Sequence, residues 1–302
     1  MEGQNFLLKD YKALGTVWYI ELFGAPNNTE ISVLKERVIQ EIENFQEKYS
    51  RFNQSSLLNT LNKAKEVYFE PDLYSMLVQS EDWRIKTGGI FDIAIKDKLE
   101  SIGYGTRALE DKITIPPEES PSASRVYKQG DSILWNSELQ IDLGGIGKGY
   151  LIEKLAGVLK DCGQKYFLIN GGGDMVATSQ SDNPVEVLLE HPTELGTYIG
   201  KIFLRDESLC ASSSFKRTWT DDGILRNHFI DTQKDSLIES ASFVISKTAT
   251  DADVLATVVA ILSDSESRVI ESASFNEAEY LTVNKSGEVF ASERFKQALK
   301  AL

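Results

Sequence analysis

The chain has 302 residues, of which 41% are hydrophobic and 26% charged, the composition of a globular fold with a sizeable core rather than of a disordered or fibrous chain. Its formal charge of −14, from 46 acidic against 32 basic residues, argues against nucleic acid as a partner, because phosphate-backbone binding rests on clustered Lys and Arg. A small anionic ligand in this field needs a metal ion, backbone N–H groups or a local lysine to receive it.

The start, MEGQNFLLKDYKALG, lacks the charged n-region, apolar h-region and small-residue cleavage site of a signal peptide, and no apolar run approaches the length of a membrane span. No transmembrane segment is expected. A chain trimmed of an export leader would look the same, so the compartment stays open, a periplasmic or membrane-anchored location included. TVWYIELF at 16–23 reads as a strand, and Ile31, Leu34, Val38, Ile42, Phe45 and Tyr49 then recur at helical spacing. A second helix is expected from Asp72 to about Lys86, with Pro71 before it and Gly88-Gly89 closing it. Asp92, in Gly88-Gly89-Ile90-Phe91-Asp92, is a helix cap, a turn former or a ligand-reading carboxylate. From Thr106 to Ser137 three prolines and a Ser/Glu-rich centre suggest an exposed excursion.

Residues 141–177 read as strand, glycine loop, helix, strand, second glycine loop, strand. The first loop, Gly144-Gly145-Ile146-Gly147-Lys148-Gly149, opens a helix, so its N–H groups and Lys148 suit phosphate oxygens, although its spacing fits neither a P-loop nor the dinucleotide fingerprint. The second, Asn170-Gly171-Gly172-Gly173-Asp174, suggests close backbone approach. For both loops a tight turn is an equal reading. Short strands are expected near 185–190 and 198–204, then a polar segment from Ser212 to Asp235. Strands and helices without regular βαβ alternation predict an α+β fold with mixed or antiparallel sheets and packed helices. Cys162 and Cys210 have no metal-ligand spacing and read as structural thiols. Of the two histidines, His228 lies beside Arg226, Asn227 and Asp231 and is a better general-base candidate than His191.

TATDADVLAT, 248–257, begins an amphipathic helix whose apolar stripe is Val254, Leu255, Val258, Val259, Ile261 and Leu262. Thr250 and Asp253 fit a capping pattern and Asp251 a first-turn acid. Thr257, one turn beyond Asp253 on the same face, is left over by that reading, and carboxylate plus hydroxyl is hard-cation chemistry suited to Mg²⁺.

Taken together, these segments resemble the ApbE family, the FAD:protein FMN transferases. The resemblance lies, in order, in Leu14-Gly15-Thr16; in Ser50-Arg51-Phe52-Asn53 through Asn62; in Gly88 to Asp92 with Gly103-Tyr104-Gly105; in Asp142 to Tyr150 with Asn170 to Asp174; in His228-Phe229-Ile230-Asp231; and in Thr248-Ala249 to Thr257. It implies one ApbE-like α+β domain over 1–302 that binds FAD beside Mg²⁺. It further implies that Asp253 and Thr257 ligate the metal by side chain and Gly147 by its carbonyl. Leu14, Phe52, Ile90, Phe91, Asp92, Gly144, Tyr150 and Ile230 are expected to line the FAD site, with His228 the candidate base. The implied activity is transfer of FMN from FAD to a Thr or Ser hydroxyl of an acceptor protein, with release of AMP. The loop after His228 departs from the family's usual His-His-Ile-Ile-Asp-Pro-x-Thr-Gly, which leaves FAD hydrolysis to FMN and AMP, or FAD binding without chemistry, as alternatives.

Overall fold

In TVWYIEL the side chains of Trp18, Ile20 and Leu22 alternate inward, the period-2 pattern that makes a strand with one face in a core. That strand, β2 (Thr16–Leu22), pairs antiparallel with β1 (Asn5–Ala13). The computed structural model describes residues 5–23, 28–104, 122–179, 183–194, 196–215, 218–221, 224–230, 237–262 and 278–302. Leu14 and Gly15 join the two strands with φ of 52° and 69°, the left-handed pair that a two-residue type I′ hairpin requires. The Leu14 N–H donates to Gln46 Oε1 (2.6 Å), which ties the turn to α1 (Asn28–Tyr49). Leu34, Val38, Ile42, Phe45 and Tyr49 are buried along that helix, as their spacing predicts.

Next come α2 (Leu57–Ala64), capped by Ser56, and β3 (Glu66–Tyr68). Then α3 (Pro71–Lys86) begins with proline in its first turn, and the Glu70 carboxylate accepts the Leu73 N–H at 2.7 Å. After α4 (Lys96–Ser101), β4 (Val126–Gln129) and β5 (Ser132–Trp135) join β3 in a three-stranded sheet. Val126, Ile133 and Trp135 of those two strands are buried in the main core. Residues 106–121 of the expected excursion lie outside the described residues.

The strand expected at 141–143 is absent. Ile141 instead donates its N–H to Asn62 Oδ1 (2.7 Å) and accepts from Asn62 Nδ2 (3.0 Å), while the Asp142 N–H reaches Ile93 O (2.7 Å). A side-chain amide 79 residues away along the chain satisfies the peptide groups that a neighbouring strand would otherwise take.

The rest of the chain supplies α5 (Gly147–Asp161), β6 (Phe167–Gly171), β7 (Met175–Thr178), the hairpin β8 (Val185–Glu190) and β9 (Tyr198–Leu204), and β10 (Glu207–Ser213). A further hairpin, β11 (Thr218–Asp221) and β12 (Ile224–Asn227), occupies part of the segment that reads as merely polar. After it come β13 (Ser240–Ser246), α6 (Ala249–Leu262), β14 (Glu279–Asn284), β15 (Val289–Ala291) and α7 (Glu293–Ala298).

Eight strands form the central sheet in the order β1-β2-β6-β7-β10-β13-β14-β15, antiparallel at every pairing. This is the expected α+β fold. Helices α1, α5 and α6 cover one face around the main core; β8, β9 and α7 enclose a second core on the other. β13 is buried along its whole length, with Phe243 and Ile245 in the second core and Val244 in the first. Its small residues admit α6 closely: Ser242 and Ser240 donate their hydroxyls to Ala256 O and Ala260 O, each at 2.6 Å. α6 is therefore buried nearly all round rather than along one stripe, because Ala252, Ala256 and Ala260 pack as fully as Val254 and Val258. That burial fixes where the carboxylate of Asp253 sits.

Candidate functional site

The glycine loop before α5 folds back on itself, the Asp142 carboxylate accepting the Gly144 N–H at 2.6 Å. The other oxygen of Asp142 pairs with Arg51 Nε (2.9 Å) in buried surroundings. The Arg51 guanidinium lies 4.5 Å from the ring centres of both Phe52 and Tyr104, a cation–π arrangement that stiffens the 50–53 segment. Phe52 itself remains 57% exposed. It is a rim residue.

Above this loop, α5 presents its positive end to a cavity of about 1370 Å³. Such a volume exceeds the roughly 300–1,000 Å³ usual for small-molecule sites and suits an extended ligand. Leu14, Phe52, Ile90, Phe91, Asp92, Gly144, Gly147, His228, Ile230, Asp253 and Thr257 all line it. Eleven of the twelve residues singled out in the sequence thus converge on one cavity, from the β1–β2 turn to α6. Tyr150 does not line it. One residue past Gly149 on α5, its ring packs beside Phe45 and its hydroxyl donates to Asp72 Oδ1 (3.0 Å). Burial and the Asp72 charge push that phenol up to about 12. Asp231 and the rest of the loop to 236 lie outside the described residues.

The helix start at 248–257 resolves its own ambiguity. Thr248, not Thr250, caps α6: its hydroxyl donates to Asp251 Oδ2 (2.6 Å) and accepts the Asp251 N–H (3.2 Å). Thr250 turns away to Glu153 Oε2 (2.6 Å), and Asp251 Oδ1 accepts Trp83 Nε1–H (2.9 Å). The capping register is thus two residues earlier than Thr250 and Asp253 suggest, which releases Asp253 for another role. Its Oδ2 accepts the Gly149 N–H in the first turn of α5 (2.9 Å), a favourable place for a negative charge. Gly149 is needed there, since a Cβ on it would lie 2.3 Å from Ala249 O.

Lys148 completes the cluster, and its partners were not apparent from the sequence. Its ammonium donates to Asp174 Oδ2 and lies 3.5 Å from Asp253 Oδ1. The Asp174 carboxylate, buried under the second glycine loop, also accepts the Ala211 N–H (3.1 Å). The available signal is the glycine–polar pattern shared by the 144–149 and 170–174 loops; what it lacks is the contact of Lys148 with Asp174 across 26 residues. Thr257 Oγ1 lies 3.4 Å from Asp253 O and 3.5 Å from Ser212 Oγ. Among the described residues no three His, Cys, Asp or Glu side chains form a metal-ligand cluster. The site instead offers a carboxylate, hydroxyls and backbone oxygens. Cys210, buried behind it, donates weakly to Ala249 O (3.5 Å), and burial followed by the Asp253 charge pushes its thiol up, as suits an inert structural cysteine.

Asp92 is held from outside the cavity. Arg125 binds it through Nη2 (2.5 Å) and Nη1 (3.2 Å) and also pairs with Glu81 (2.7 Å), which in turn pairs with Arg84 (2.9 Å). Burial raises the Glu81 carboxyl, but hydrogen bonds from Arg125 and Arg84 and the charge of Arg125 outweigh it and hold its pKa below the ordinary value. A depressed folded pKa gives stability that is present above the unfolded value, about 4.3 for Glu, and lost as pH falls through the folded one. Glu81→Gln is therefore expected to be less stable at pH 7 and to show a flatter loss between pH 5 and pH 3. Urea midpoints across that range check this, and parallel losses in the two proteins would contradict it.

His228 follows β12, its ring near Tyr104 (6.0 Å between centres) and Phe229 (4.6 Å). Trp219, opposite Arg226 in the same hairpin, stacks on Tyr104 (5.1 Å) and donates its indole N–H to Ile102 O (2.7 Å). The hairpin that carries His228 is thereby latched to the segment after α4.

Comparison with known proteins agrees with this geometry. The chain is 22% identical over 306 residues to the FAD:protein FMN transferase of Vibrio cholerae serotype O1, covering 95% of this chain and 90% of that protein. It is 23% identical over 284 residues to the FAD:protein FMN transferase of Escherichia coli strain K12, covering 86% and 79%. Among solved structures, the ApbE protein of Thermotoga maritima matches with a TM-score of 0.84 at 21% identity, covering 99% of this chain and 100% of that one. The flavin transferase ApbE of Vibrio cholerae matches at 0.79 and 19%, covering 98% and 99%. The ApbE family model matches residues 14–281, a span that begins at the Leu14 turn and runs past the Asp253–Thr257 helix; the chain belongs to the ApbE family.

Proposed function

We propose that the chain transfers FMN from FAD to a Ser or Thr hydroxyl of an acceptor protein in a Mg²⁺-dependent reaction that releases AMP. One observation carries this reading: a single cavity joins an aromatic, apolar rim to a buried charge cluster at the positive end of α5. A dinucleotide needs both, a surface for its rings and a tuned electrostatic seat for its pyrophosphate. Phe52, more than half exposed over the Arg51 guanidinium, supports ring stacking at the rim.

The donor set fits Mg²⁺. The Asp253 carboxylate, Thr257 hydroxyl and Gly147 carbonyl are hard oxygens, and so few protein ligands leave positions for waters and phosphate oxygens. When bound, Mg²⁺ would neutralise charge developing on the pyrophosphate. The chain's own residues do the rest. Gly149 fixes one Asp253 oxygen, so the other stays available for a cation. Lys148 brings a positive charge to the cavity wall, which a chain of charge −14 otherwise denies a diphosphate. The acceptor hydroxyl oxygen forms its bond to the flavin-side phosphorus, the bridging P–O bond to AMP breaks, and the hydroxyl proton passes to His228 as general base.

The test is incubation with FAD, with and without Mg²⁺ and with and without acceptor protein, measuring AMP and protein-bound flavin fluorescence. Mg²⁺- and acceptor-dependent AMP supports transfer. Equal AMP without acceptor makes the chain an FAD pyrophosphatase, and FAD binding with no AMP makes it a flavin-binding protein.

Trp219 lies outside the cavity lining yet latches the His228 hairpin. Its stack on Tyr104 is worth about 0.5–1.5 kcal/mol, so Trp219→Ala is expected to lower kcat about 3–10-fold with little change in the KM for FAD. Trp219→Phe should retain most of the rate. Wild-type kcat in Trp219→Ala would show that the latch does not position His228.

A further inference from the structure

We infer that Lys148 is an internal cation that holds Asp174 and Asp253 together until a divalent ion replaces it, and that it then gives its charge to the incoming diphosphate. The inference rests on the Mg²⁺ and FAD reading above and assigns this lysine a role in the metal-free protein. The side chains of Asp174 and Asp253 are only 1% and 3% exposed, against 26% for Lys148. Each carboxylate already has one oxygen on a backbone N–H: Ala211 donates to Asp174 Oδ1 and Gly149 to Asp253 Oδ2. The remaining oxygen of each faces the same ammonium. Two buried carboxylates are costly without a counter-charge, and in the protein alone Lys148 provides it.

A divalent ion on Asp253 competes for the oxygen that the ammonium faces. Lysine suits an exchange of this kind, because its charge is compact and its four-carbon stem flexible. Lys148 also lines the cavity, so an ammonium displaced from the carboxylates meets the space expected for the pyrophosphate. Metal and diphosphate should then bind with positive coupling, since the phosphate receives the charge that the metal expels, and coupling of this kind is reciprocal. A lysine that served only as a phosphate ligand would leave metal affinity unchanged when removed. A lysine acting as counter-cation weakens metal binding, so its removal strengthens it.

Titration calorimetry of Mg²⁺ into the full chain separates the two, comparing wild type with Lys148→Met in the absence and presence of ADP as the diphosphate probe. Without ADP, Lys148→Met should bind Mg²⁺ about tenfold more tightly, a difference of about 1.4 kcal/mol. ADP should strengthen Mg²⁺ binding by wild type and do so much less in the variant. The metal-free variant should also melt below wild type and recover on adding Mg²⁺. Should it fail to fold without metal, refolding at saturating Mg²⁺ reads the same exchange: rescue supports it and failure overturns it. Unchanged or weaker Mg²⁺ binding by Lys148→Met overturns the inference while leaving the metal reading in place. If neither protein binds Mg²⁺ in either condition, the metal reading fails and the inference falls with it.

Discussion

Asp253→Ala is expected to lower AMP release from FAD by about 10³-fold or more and to abolish its dependence on Mg²⁺. A bound metal supplies several kcal/mol of transition-state stabilisation, and each 1.36 kcal/mol is tenfold in rate, so three decades is the scale of losing the proposed metal's only carboxylate ligand. The substitution also orphans the Gly149 N–H that Asp253 Oδ2 accepts, which costs about 1–3 kcal/mol of stability in a buried setting. Asp253→Asn separates the two effects. It keeps the shape and an acceptor oxygen for Gly149, so it should fold near wild type yet remain at least about 10²-fold slower. Steady-state AMP formation, read beside melting temperature, checks both variants. Near wild-type turnover in either would show that Asp253 holds α5 and α6 together and does no chemistry.

Gly149→Ala is expected to reach the same site without touching its chemistry. A methyl at 149 would lie 2.3 Å from Ala249 O and 2.8 Å from both Ala249 C and Asp253 Cβ. Two of those atoms are backbone of a helix buried nearly all round, so they cannot rotate aside. Alanine gains about 1 kcal/mol of helix propensity over glycine. Overpacking of a rigid contact costs about 1–3 kcal/mol and sometimes more, and with no flexible neighbour to give way the clash should win. A net loss of about 2 kcal/mol corresponds to a fall in Tm of roughly 3–5 °C. Activity should fall further than the stability loss explains, because the separation of α5 from α6 sets the Asp253 contact with Gly149. Calorimetric Tm and AMP release measured together decide this; an unchanged Tm would mean that the helices are not in contact as described.

The elements most legible in the sequence are those whose signals are local. The spacing of Leu34, Val38, Ile42, Phe45 and Tyr49 predicts α1, and the β-branched and aromatic run TVWYIELF predicts β2. Where a distant partner decides the structure, local reading failed. Residues 141–143 look like a strand but bond to the Asn62 side chain. α6 looks one-sided, yet its alanines meet the serines of β13. Thr250 and Asp253 look like a cap, but Thr248 wins because Glu153 takes the Thr250 hydroxyl and Gly149 takes the Asp253 carboxylate.

The lining of the candidate cavity was legible for a different reason. Leu14, Asp92, Gly144, His228, Asp253 and Thr257 are too far apart in sequence for any periodicity to relate them, and it was the ordered family motifs that placed them together. Tyr150 shows the limit of that approach. A motif position carries no direction, and one residue past Gly149 the helix turns about 100°, which sends this side chain to Asp72 rather than into the cavity. The pairing of Lys148 with Asp174 is not legible in the sequence, because each residue reads as part of its own glycine loop.

The most direct measurement mixes the chain with FAD, Mg²⁺ and the total protein of the cell that makes it, then follows AMP and flavin fluorescence that survives denaturing electrophoresis. A fluorescent protein band, with matching AMP, that disappears without Mg²⁺ and with Asp253→Ala is the predicted result. Binding of FAD with neither a fluorescent band nor AMP would contradict the account.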